Sequence, residues 1–270
     1  MEQVRARGSR VKGWFCALVG VTLSCFAGGT RVFAAQTGQT ATAAQTGRTE
    51  QTATAAADSP PMPAVIELPE TGDLPGVVIF PARAGGPRPI TVVLHGMCGE
   101  PIRTCRHFAE QVTASAHLVC PRASQRCAGG GVSWPQSGFA GAIEAAVARA
   151  KTALPEAADD EHGRTLIGYS LGAYRALALA ESAPGKYPRV FLIGAKVVLN
   201  RQLLAANGVA RVLLSAGAWD MMHDPMQREA ERAARSGVQA RFLDLGPVGH
   251  AFTQSFGSYL TGALSWLNEG

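Results

Sequence analysis

The chain has 270 residues and a formal charge of +5 at pH 7, a length compatible with one large α/β domain. Arg5, Arg7, Arg10, Lys12 and Arg31 lie within residues 1–34 against one acid, Glu2; taking these from the totals of 25 and 20 leaves 20 basic and 19 acidic residues. That near balance excludes a nucleic-acid footprint on the rest of the chain.

Residues 1–34 read as an export signal: a basic stretch, an apolar run from Trp14 to Ala27, then small residues. The run is shorter than the roughly 20 residues a spanning helix needs. Val32-Phe33-Ala34 places small residues for cleavage after Ala34. Two alternatives stay open, both giving a membrane tether: an uncleaved anchor, or lipidation at Cys25. The expected location is therefore periplasmic or secreted, with a lipoprotein as the variant form. Residues 35–61 are low in complexity. Ala-Ala-Gln-Thr-Gly occurs at 34–38 and 43–47, and Gln-Thr-Ala-Thr-Ala-Ala at 39–44 and 51–56. A segment without large apolar groups cannot offset the entropy of ordering, so a disordered linker is expected here.

From residue 62 to residue 270 the pattern changes to short apolar runs alternating with alanine-rich segments. Strands are expected at Val77–Phe80, Thr91–Leu94, Leu118–Cys120, Thr165–Tyr169, Val190–Ile193, Val212–Ser215 and Arg241–Leu245. Helices are expected at Ile102–Ser115, Phe139–Ala153, Leu171–Ser182, Arg201–Ala206, Pro225–Ser236 and Phe252–Leu267. Strands that read as continuous apolar runs are covered on both faces. The alternation predicts an α/β fold with a mostly parallel central sheet and helices on both sides.

Four cysteines lie beyond the signal, Cys98, Cys105, Cys120 and Cys127. An even count in an exported chain favours disulfides. The expected pairs are Cys98–Cys105 and Cys120–Cys127, since each closes one local loop. The ligand spacing is poor for a metal site, and none is expected.

The stretch Thr165-Leu166-Ile167-Gly168-Tyr169-Ser170-Leu171-Gly172 places a Gly-x-Ser-x-Gly pentapeptide between a strand and a helix. Glycine on either side lets the turn tighten, and the serine stands at a helix N-terminus where a developing oxyanion is favoured. A serine needs a base and an orienting acid. Downstream, Asp220 follows the strand Val212–Ser215, and His250 follows the strand Arg241–Leu245. Ends of parallel strands share one edge, so the three side chains should meet there. Asp224 stands as the alternative acid. His95, before a glycine turn, is expected to brace its loop. The glycines at 129–131 read as a flexible loop rather than a phosphate cradle, because the lysine of a P-loop is missing. Tyr169, Trp134 and Trp219 are candidates for a substrate pocket.

His95-Gly96-Met97-Cys98-Gly99, Gly168-Tyr169-Ser170-Leu171-Gly172, Gly217-Ala218-Trp219-Asp220 and Gly246-Pro247-Val248-Gly249-His250-Ala251-Phe252 occur in the order seen in the α/β-hydrolase superfamily. The chain resembles that superfamily over about residues 76–268, nearest its small carboxylesterase/phospholipase and dienelactone-hydrolase branches. The resemblance implies Ser170 as nucleophile, His250 as base, Asp220 as acid, and the backbone N–H groups of Met97 and Leu171 as the oxyanion hole. It implies a serine hydrolase of small-molecule esters that needs no cofactor, which the N-terminal signal would export. Only Lys196 to Ala210 separates the strand after the nucleophile helix from the next, leaving no room for a cap domain. A peptidase or amidase on the same fold, and a non-catalytic envelope binding protein, are the competing readings.

Overall fold

The computed structural model describes residues 64–154, 157 and 163–269, all of which lie in the unit Asp58–Gly270. The expected signal segment and the repeat-bearing linker fall outside the described residues. In chain order the elements are β1 (Ile66–Leu68), β2 (Val77–Phe80), β3 (Ile90–Leu94), α1 (Pro101–Val112), β4 (His117–Pro121), β5 (Gln125–Arg126), β6 (Val132–Ser133) and α2 (Phe139–Ala153). There follow β7 (Thr165–Tyr169), α3 (Leu171–Ala180), β8 (Arg189–Ile193), α4 (Arg201–Ala206), β9 (Arg211–Ala216), α5 (His223–Arg235), β10 (Ala240–Asp244) and α6 (Phe256–Asn268).

Eight strands form one sheet in the order β1-β2-β4-β3-β7-β8-β9-β10. β2 runs antiparallel to both β1 and β4. From β4 to β10 every pair is parallel. The inner strands are mostly apolar because both faces are buried, and period-two alternation divides their side chains between two cores. Val77 and Ile79 point into one core, Val78 and Phe80 into the other; Val212 and Leu214 oppose Leu213 in the same way. The first core is closed by Ile143 and Val147 of α2, Ala173 and Ala176 of α3, Leu204 of α4, and Met226 and Ala230 of α5. The second is closed by Phe108 and Val112 of α1 and by Phe256, Leu260 and Trp266 of α6. This is the α/β-hydrolase fold, and the run from Gly194 to Ala210 carries α4 and no cap domain.

Where element bounds differ from expectation the cause is local. Helix α5 starts at His223 rather than at Pro225. Its proline falls in the first turn, where no intrahelical N–H is required. Helix α6 starts at Phe256 rather than Phe252. The segment before it instead turns to pack the Phe252 ring against Phe108 and Phe256, at centroid distances of 5.6 and 4.7 Å.

The cysteine pairing departs from expectation. The bridges are Cys98–Cys127 and Cys105–Cys120, with Cα–Cα distances of 5.7 and 6.4 Å. Cys105 lies on the face of α1 that is buried with Thr104, Phe108 and Ala109, so its sulfur points at the sheet, where Cys120 on β4 meets it. Cys98 precedes the helix, in the loop after β3. That loop pairs with the β6 end of the β5–β6 hairpin through Gly99 and Val132, which brings Cys98 to Cys127. The buried face of α1 and the pairing of the Gly99 loop with β6, not sequence separation, decide the partners.

Candidate active site

Ser170 is the pivot between β7 and α3, with φ 54° and ψ −119°. A non-glycine residue at positive φ is strained and persists only where the surroundings hold it. Its N–H donates to Ile193 O at 2.8 Å, which pins the turn to β8. The flanking glycines make that geometry possible. A Cβ on Gly168 would lie 2.5 Å from Gly172 O, and one on Gly172 would lie 2.2 Å from Leu94 O. Helix α3 can therefore start directly against the ends of β7 and β3.

Three residues from three strand ends meet here. Ser170 Oγ is 2.9 Å from His250 Nε2, and His250 Nδ1 is 2.7 Å from Asp220 Oδ2. A carboxylate only accepts, so His250 donates from Nδ1 and leaves Nε2 free to accept from the serine hydroxyl. Asp220 is buried, and its Oδ1 accepts from Met222 N–H at 3.0 Å. Asp224, the alternative acid, is exposed and faces His223 at 3.1 Å instead. Gly194, after β8, leaves room for the pair: a Cβ there would stand 2.9 Å from His250 Cε1 and 3.4 Å from Asp220 Oδ2. Nothing in the sequence reading pointed to Gly194; a glycine directly after a buried strand was the available signal.

The proposed oxyanion donors lie on the two segments that meet at Ser170. Leu171 is the first residue of α3, so its N–H has no intrahelical acceptor. Gly96 passes so close that a Cβ on it would be 3.3 Å from Ser170 Cβ, which puts Met97 at the rim. Met97 N–H has no hydrogen-bond partner among the described residues. The loop is braced by His95, as expected. Nδ1 of His95 donates to Gly96 O at 2.8 Å, while Nε2 accepts from Ala123 N–H at 3.4 Å. Burial lowers its pKa to about 4 despite the opposing carbonyl contact, so the ring is neutral.

The pocket aromatics separate into three cases. Tyr169 does line a groove of about 500 Å³ beside His250. Its hydroxyl donates to His250 O at 2.8 Å, and burial, with the Asp220 charge, pushes its pKa up to about 12. It therefore holds the histidine loop as a neutral donor. Trp134 is not a pocket residue: it is buried, stacks on His95 at 4.9 Å, and donates from Nε1 to His95 O at 2.8 Å. Trp219 is 74% exposed and lies outside that groove. Among the described residues no cluster of His, Cys, Asp and Glu forms a candidate metal site.

The architecture is the α/β-hydrolase fold. Solved structures agree with that reading of the fold. The fluorophosphonate-binding serine hydrolase F of Staphylococcus aureus superposes with a TM-score of 0.57 at 14% identity, covering 77% of this chain and 99% of its own. A ferulic acid esterase gives 0.55 at 13% identity, covering 76% and 97%. Esterase PE8 gives 0.52 at 19% identity, covering 70% and 97%. No family model and no curated protein matches the sequence.

Proposed function

We propose that the protein is an exported serine hydrolase that cleaves carboxylic esters through an acyl-enzyme. The observation that carries this is the continuous hydrogen-bonded line Ser170–His250–Asp220, at 2.9 and 2.7 Å. His250 Nε2 takes the hydroxyl proton as Ser170 Oγ attacks the ester carbonyl, and Asp220 steadies the resulting imidazolium. The Met97 and Leu171 amides receive the negative charge that develops on the carbonyl oxygen. His250 then gives its proton to the departing alcohol. Water, deprotonated by the same nitrogen, releases the acyl group and restores the serine. The esterases and serine hydrolase among the structural neighbours support this chemistry. The two disulfides fit an oxidising compartment and thus support export.

Turnover of short-acyl aryl esters tests the reading. Ser170→Ala and His250→Ala should each lower kcat by at least about 10⁴-fold, with the thermal midpoint within a few degrees of wild type. Undiminished hydrolysis by Ser170→Ala would refute it.

A further inference from the structure

The groove beside His250 lies between the start of α1 and the 129–131 glycine turn. Its fixed charges come from Glu100 and Arg103. The Glu100 carboxylate is engaged elsewhere, with Oε2 3.2 Å from Arg122 Nη1. Arg103 is exposed, and its guanidinium has no carboxylate partner among the described residues. The turn Gly129-Gly130-Gly131 also lines the groove and offers neither a countercharge nor a side chain to fill the space. Tyr169 and Phe252, with ring centroids 4.6 Å apart, supply the groove's aromatic lining. An unpaired cation sharing a groove with apolar rings is complementary to a short or aromatic group carrying an anion.

The position of the groove says which half of the substrate enters it. His250, Ala251 and Phe252 line it, and Ser170 does not. His250 carries the proton to the departing oxygen in the mechanism above, so a groove that His250 lines is the candidate space for the leaving group. Resting on that ester-hydrolase reading, we infer that this groove is the leaving-group subsite and that Arg103 selects esters whose alcohol or phenol half bears a carboxylate.

The test is kcat/KM for two acetate esters, that of para-hydroxybenzoate and that of its methyl ester, in wild type, Arg103→Gln, Arg103→Lys and Arg103→Glu. The ratio of anionic to neutral substrate cancels the reactivity common to both. It should fall about fivefold in Arg103→Gln, mainly through KM, and further in Arg103→Glu, as loss of one exposed ion pair implies. Arg103→Lys, which keeps the charge, should retain most of the preference. A ratio equal in wild type and Arg103→Gln would overturn the subsite. So would a larger change for succinate half-esters of phenol, which carry the anion on the acyl side. Turnover of neither acetate by wild type would instead overturn the ester-hydrolase reading itself.

Discussion

Ser170 sits at φ 54° with its hydroxyl 2.9 Å from an imidazole, and each of the residues around it is held by something that can be removed singly. Asp220→Asn replaces an acceptor with a group that can donate, which favours the wrong tautomer of His250. It should lower kcat by about 10⁴-fold, whereas Asp224→Asn, facing His223, should leave turnover near wild type; steady-state kinetics of the pair checks both. His95 makes a pH prediction. Its pKa is lowered from 6.5 to about 4 in the folded chain, so the unfolded chain takes up a proton that the folded one refuses. The associated stability is complete above the unfolded value and is lost as pH falls from 6.5 towards 4. It amounts to about 3 kcal/mol over that window. Denaturant unfolding should therefore show a steeper loss on acidification in wild type than in His95→Gln. Parallel slopes would mean that His95 titrates normally.

At the scale of elements, the bridge Cys105–Cys120 joins α1 to β4 across a sequence separation of 15. Replacing both cysteines with alanine should cost about 3 kcal/mol of unfolding free energy, read from the denaturant midpoint. No change would mean that packing of α1 already supplies the constraint. The same region shows what a sequence can and cannot reveal. β2, β7, α2 and α4 have the bounds that hydrophobic pattern alone gives, because each is a buried run or an amphipathic stretch ended by glycine, proline or a polar residue. The serine, histidine and carboxylate were legible since each follows a strand of one parallel sheet, and such strands share an edge. The cysteine partners were not legible. Pairing depends on which face of α1 meets the sheet, and a local-loop argument ignores that. β1, three residues between prolines, and the two-residue strands β5 and β6 are too short to carry a period. Trp134 shows a similar limit: its indole turns inward to His95 O, a direction that residue type and position along the chain do not encode.

For the whole molecule, the absence of a cap over the described site leaves the His250 side chain 44% exposed. On the proposed reading substrate reaches Ser170 without a lid moving, so the rate for a short-acyl aryl ester should rise hyperbolically with concentration through its solubility limit. A sharp increase at the onset of aggregation would indicate lid-gated, interface-dependent action instead. The proposed reaction rests on Ser170 as its one nucleophile. Labelling of the folded protein by a fluorophosphonate, followed by peptide mass mapping, tests that most directly. The expected result is one adduct, on the peptide containing Ser170, absent from Ser170→Ala. An adduct on another residue, or none on active, folded protein, would contradict the account.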